Sequence, residues 1–241
     1  MNAISDAKKL FGIIGLPRSG TTILCNFFNS FTNGFCFSEP HWTFFQGMQP
    51  RFDKVQDLTS TSAVSLMDDI SHYLHASDQY VLGGIKETYW KGRKHLSYLL
   101  NFPVDFFIFL FREPCANFAS LVRDNPGLKP DFFSTCYKDL FEIYLSIPDR
   151  NKIAFVYENF CDDPLAYVNT HLEGRLQIAG PLALKKTNYL HGDPVAKFSE
   201  TVHQASSKYE DVVSTADMKF LNENTLPVYN KIILKNNMTP M

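Results

Sequence analysis

The sequence predicts an α/β fold of three layers, with a central parallel β-sheet flanked by helices. Three observations lead there. Short apolar runs alternate with longer amphipathic stretches along most of the chain, the pattern of strands connected by crossover helices. The clearest run, Phe106–Phe111 after Asp105, is apolar without interruption, as expected of a strand covered on both faces. A glycine-spaced loop follows the first run directly and leads into a helix-like stretch.

Taken in order, the candidate strands are 10–15, 34–38, 80–85, 105–111 and 152–157. The first carries Leu10, Phe11, Ile13 and Ile14, the second Phe35 and Phe37, and the last Ile153, Phe155 and Val156. Between them Thr21–Phe31, Ala63–His75, Arg93–Leu100, Pro114–Arg123, Asp131–Ser146 and Pro164–Gln177 read as helices. Several open on Asp, Ser or Pro near the first turn, where such residues satisfy or dispense with an unpaired N–H. No repeat, low-complexity tract or linker divides the chain, so a single domain over 1–241 is expected. Residues 181–207, rich in Gly, Pro, Ser, Lys and His, read as a long functional loop.

Composition narrows the function. With 241 residues, 45% of them hydrophobic, the chain can bury a full core. Its 23 basic and 25 acidic side chains nearly balance, which gives no global field for nucleic acid or an anionic membrane. A short basic cluster, Lys91, Arg93, Lys94 and His95, reads as a solvated helix start or as a local attraction for an acidic acceptor. Cys25, Cys36, Cys115, Cys136 and Cys161 are odd in number, without a C-x-x-C pair, and read as buried thiols of a reducing compartment. Met1–Lys9 is polar and Phe106–Phe111 is too short to span a bilayer, so a cytoplasmic protein with no membrane span is the expectation. His72 and His75 can share a helix face, but no third ligand follows at metal spacing, and no metal site is expected.

Gly15-Leu-Pro-Arg-Ser-Gly-Thr-Thr22 is the most informative segment. Gly15 and Gly20 keep the glycine spacing of a phosphate-binding P-loop, in which backbone N–H groups surround a phosphate. The lysine of that motif is missing. Thr21 stands in its place, and the positive charge sits on Arg18, behind Pro17. A P-loop lysine reaches the β- and γ-phosphates and the next hydroxyl holds Mg²⁺. Arg18, Ser19, Thr21 and Thr22 instead offer donors for a terminal phosphate without requiring a metal.

This loop resembles the 5′-phosphosulfate loop of sulfotransferases that use 3′-phosphoadenosine 5′-phosphosulfate (PAPS), and a second motif agrees. In those enzymes an arginine after a buried strand, with a serine eight positions on, binds the 3′-phosphate; here Arg112 and Ser120 follow the run 105–111 at that spacing. The resemblance implies a P-loop-like sulfotransferase fold, PAPS as donor and 3′-phosphoadenosine 5′-phosphate (PAP) as product. It also implies in-line, metal-independent transfer to a hydroxyl or amine of a small molecule, sugar or peptide tyrosine.

Further residues follow from the same resemblance. In some of these enzymes, the tyrosylprotein type among them, a glutamate twenty-two positions past the loop proline acts as base, and a lysine twenty-six positions before the 3′-phosphate arginine stabilises the transferring group. Glu39 and Lys86 satisfy both counts. Cytosolic relatives use a histidine, so His41 is the second candidate for the base. The Tyr-Glu-Asn of 157–159 resembles the strand end whose tyrosine lies near the adenine, which implicates Tyr157. His191–Phe198 resembles a loop closing over the 3′-phosphate, with Lys197 in place of its usual arginine. Trp42, Trp90, Phe44, Phe45 and Tyr89, near Glu39 and Lys86, could wall an acceptor pocket or simply pack the core. Two other readings stay open: a non-catalytic nucleotide-binding protein, and a small-molecule kinase with a divergent P-loop.

Overall fold

In the computed structural model, which describes residues 8–31, 33–45, 63–76, 81–92, 95–173, 209 and 211–237, five strands form the middle layer. They are β1 (Lys9–Gly15), β2 (Gly34–Ser38), β3 (Leu82–Thr88), β4 (Phe106–Phe111) and β5 (Lys152–Val156). All four pairings are parallel, in the order β2-β3-β1-β4-β5. The helices are α1 (Thr21–Asn29), α2 (Pro40–Phe45), α3 (Ala63–Ala76), α4 (His95–Leu100), α5 (Pro114–Asp124), α6 (Pro130–Ser146), α7 (Tyr157–Asp162) and α8 (Pro164–His171). Two more, Thr215–Asn224 and Leu226–Asn237, follow them.

Alternation along the strands assigns helices to faces. On one face Phe11 of β1 packs on Phe28 of α1, with ring centroids 4.6 Å apart, and stacks on Phe106 at 6.1 Å. Phe27 of α1 meets Phe160 of α7 at 5.7 Å on the same side. Gly84 makes this packing possible, since a Cβ there would lie 2.3 Å from the Phe11 ring. The other face carries Gly12, Gly83, Phe107, Phe109 and Phe111, against Leu99 of α4, Leu74 of α3 and Tyr144 of α6. Every residue of β4 is buried, and each fully buried phenylalanine contributes about 1.5–3 kcal/mol relative to exposure.

The chain leaves β1 for β2 on one side and β4 for β5 on the other. Such a reversal opens a crevice at the strands' carboxyl ends, where ligands of open α/β sheets bind. The loop after β1 and the turn after β4 both lie at this edge.

Several expected boundaries are corrected. β3 does not end at 85 but runs through Lys86, Glu87 and Thr88, all buried. Tyr157 is the first residue of α7 rather than the last of β5. α8 ends at His171, short of Gln177, and residues 174–177 lie outside the described segments. So do Arg93, Lys94 and the loop 181–207 with Lys197. α2, α7 and the two last helices were not anticipated. Among the described residues no helix is long and apolar enough to cross a membrane, and no group of three or more His, Cys, Asp or Glu is placed to hold a metal ion.

Candidate active site

The loop between β1 and α1 is tied down from outside. Ser19 N–H and Oγ both donate to the Leu16 carbonyl, at 3.2 and 2.7 Å. Arg18 and Gly20 adopt the left-handed region, with φ of 65° and 98°, an arrangement that costs a non-glycine residue energy and is common where a ligand is gripped. Asn117 of α5 donates to the Pro17 carbonyl at 2.9 Å, and Arg112 Nη1 donates to the Arg18 carbonyl at 2.9 Å. With these carbonyls occupied, α1 begins at Thr21, and its N-cap Gly20 offers no side-chain cap. Its first N–H groups and the positive end of its dipole are what an anion at a helix start uses.

Arg112 joins this loop to the end of β4. It is buried and its Nε has no hydrogen-bond partner, an arrangement that suits an anionic ligand. Its guanidinium lies 4.8 Å from the centroid of the Tyr157 ring, and that ring in turn packs on Gly20, where a Cβ would lie 2.3 Å away. Tyr157 is therefore a spacer between Arg112 and the start of α1. The Arg112 carbonyl accepts from Tyr137 Oη at 3.0 Å, and burial pushes that phenol well above its usual pKa. The next peptide is fixed as well: Glu113 N–H donates to Glu158, which accepts from Tyr229 Oη at 2.7 Å. The Glu113 carboxylate caps α5 through the N–H groups of Cys115 and Ala116.

Ser120, two turns into α5, accepts from Arg18 Nε at 3.2 Å. The structure thus brings Pro17, Arg18, Ser19, Gly20, Thr21, Thr22, Arg112, Ser120 and Tyr157 into one neighbourhood. Sequence reasoning missed Asn117, Tyr137, Glu158 and Tyr229. Only Asn117 leaves a local trace, since it sits one helical turn before Ser120.

On β3, neighbouring residues serve opposite faces. Lys86, in register with Ile13, points to the α1 face, where its Nζ donates to Glu39 Oε1 at 2.7 Å. Both side chains are buried, and Glu39 is held by backbone too, its N–H donating to the Lys86 carbonyl while its φ is 52°. Glu87 points to the α3/α4 face, in register with Ile14. There it accepts from the His41 backbone N–H at 2.7 Å and lies 3.2 Å from His41 Nδ1, while the imidazole stacks on Tyr98 of α4 at 5.3 Å. The two candidates for the base are therefore separated by the sheet, and Glu39 alone shares a face with Lys86 and the start of α1.

Among the aromatic residues, Trp90 meets Phe132 of α6 at 5.2 Å. Tyr89 N–H donates to the Gly15 carbonyl at 2.8 Å, and its phenol donates to Asp139 at 3.3 Å. Burial, with the Asp139 charge beside it, pushes the Tyr89 phenol up to about 12. All five cysteines are buried and unpaired. Burial raises the thiols of Cys36, Cys115, Cys136 and Cys161, which disfavours the thiolate a nucleophile requires.

Sulfotransferase domains are among the solved structures with a similar fold. One is the domain of the Synechococcus PCC 7002 olefin synthase, 20% identical, covering 91% of this chain and 96% of that one with a TM-score of 0.59. The domain of the curacin biosynthetic pathway is 14% identical over 90% and 97%, with a TM-score of 0.61. The chain has the sulfotransferase fold. Mouse sulfotransferase SULT7A1, solved in complex with PAP, matches at 13% identity over 92% of this chain and 85% of that one, with a TM-score of 0.55. No protein-family model and no curated protein matches the sequence. The likeness is therefore one of fold.

Proposed function

We propose that this chain is a sulfotransferase of the tyrosylprotein or bacterial type, moving a sulfuryl group from PAPS to a hydroxyl or amine of an acceptor. The observation that carries the reading is the buried Lys86–Glu39 pair at 2.7 Å, at the carboxyl edge of the sheet and on the face of α1. A carboxylate and an ammonium fixed together at that edge are what proton removal and oxyanion stabilisation require. PAPS supplies an activated sulfuryl group whose leaving group is the 5′-phosphate of PAP. Glu39 takes the acceptor proton as the new bond to sulfur forms. Lys86, Arg18 and the amides of residues 19–22 stabilise charge on the sulfuryl and leaving oxygens. Arg112 and Ser120 hold the 3′-phosphate, and the unpartnered Arg112 Nε fits that role. A cytoplasmic location and a single catalytic domain belong to the same reading.

Calorimetry with PAP, AMP and ATP tests the nucleotide site. PAP is expected to bind most tightly, and Arg112→Ala is expected to weaken it by about 1.5–3 kcal/mol, the loss of a charge-assisted contact. Equal affinity for AMP and PAP would sink the assignment. Incubation of acceptor pools with ³⁵S-labelled PAPS, followed by mass spectrometry of the product, identifies the acceptor. In that assay EDTA is expected to leave transfer intact, because fixed cations and amides supply the charge that Mg²⁺ supplies in kinases. Strict metal dependence, or phosphoryl transfer from ATP, would favour the kinase reading instead.

A further inference from the structure

Arg18 is engaged on its outer side by two acceptors at once. Its Nε, which carries a single hydrogen, lies 3.2 Å from Ser120 Oγ and 3.3 Å from Asp124 Oδ2. Asn117, Ser120 and Asp124 fall on one stripe of α5, one turn and two turns apart, and all three touch the loop or its arginine. Asn117 holds the loop backbone and Ser120 belongs to the proposed 3′-phosphate site. Asp124, the last residue of α5, has no such role, and it brings a negative charge to a place where a polyanion is expected to bind.

We propose that Asp124 is a specificity-determining counter-charge that lowers nucleotide affinity by competing with phosphate for the Arg18 guanidinium, and so favours product release. The inference rests on the proposed function. A guanidinium shared with a carboxylate gives less of its charge and fewer of its N–H groups to a second anion. The Asp124 side chain is 62% exposed, so solvent screens the pair and the effect is moderate, about two- to fivefold in affinity.

The test is a double-mutant cycle read by PAP calorimetry. Asp124→Asn, which keeps the side chain's shape and an acceptor oxygen, is expected to tighten PAP about two- to fivefold over wild type. In an Arg18→Gln background the same substitution is expected to change PAP affinity very little, because its effect runs through the arginine. In steady-state assays Asp124→Asn is expected to lower KM for PAPS, and to lower kcat where release of PAP limits turnover. A structural role would instead alter thermal stability with unchanged or weakened binding. If wild type binds PAP but Asp124→Asn does not tighten it, this inference fails and the nucleotide assignment stands. If the tightening persists undiminished in the Arg18→Gln background, the effect is a general field and the inference again fails. If wild type does not bind PAP at all, the proposed function and this inference fall together.

Discussion

Glu39→Gln is expected to lower turnover by about 10²–10⁴-fold, the usual cost of losing a general base, while PAP affinity stays at the wild-type value. The amide keeps the shape of the carboxylate and an oxygen for Lys86 Nζ, so the 2.7 Å contact has an acceptor in the variant as well. What disappears is the capacity to accept a proton. Single-turnover transfer together with PAP calorimetry separates the two effects. His41 offers the contrast. It sits on the far face of the sheet, bonded to Glu87 and stacked on Tyr98, so His41→Gln is expected to cost stability and to leave the folded fraction active. Near-normal turnover in Glu39→Gln with collapse in folded His41→Gln would transfer the role to the histidine.

Lys86→Met has the second large effect, and it acts on folding as well as on chemistry. Removing the ammonium strands a buried carboxylate, and breaking a buried pair from one side costs about 3–5 kcal/mol. In a chain of this size that is a fall in melting temperature on the order of 10 °C. Turnover is expected to fall too, since the lysine stabilises charge that develops in the transition state. The double variant Lys86→Met/Glu39→Gln distinguishes the two roles. Without a stranded charge it is expected to recover much of the lost stability while remaining inactive, and recovery of activity would refute a catalytic role for the pair.

The strands were readable because their apolar runs are local: β2 was expected at 34–38 and occupies Gly34–Ser38. β3 was cut short because Lys86, Glu87 and Thr88 end the apolar run. They are nonetheless buried, two of them compensated by partners forty-six and forty-seven residues away, which no local window reveals. α7 was hidden because β5 passes into it with no turn residue between. The helix Thr215–Asn224 did carry a local signal, the Ser214 cap accepting from Asp217 N–H at 3.1 Å. In the candidate site, the glycine-spaced loop 15–22 and the Arg112–Ser120 spacing could be read because each is confined to a single loop or to one turn and the helix after it. The braces behind them could not: Tyr137 and Tyr229 reach the Arg112 turn from helices twenty-five and more residues downstream.

Both tryptophans of the chain stand at the carboxyl edge, Trp42 on α2 three residues past Glu39 and Trp90 two residues past the end of β3. Excitation at the red edge of protein absorption therefore interrogates the neighbourhood of the proposed site, while the phenylalanine-packed interior stays dark. The chain thus carries its own optical probe. If a donor or acceptor binds at this edge, quenching or a spectral shift of native emission is the expected report, with no label attached, and replacing Trp42 or Trp90 singly by phenylalanine assigns the signal to one tryptophan or the other.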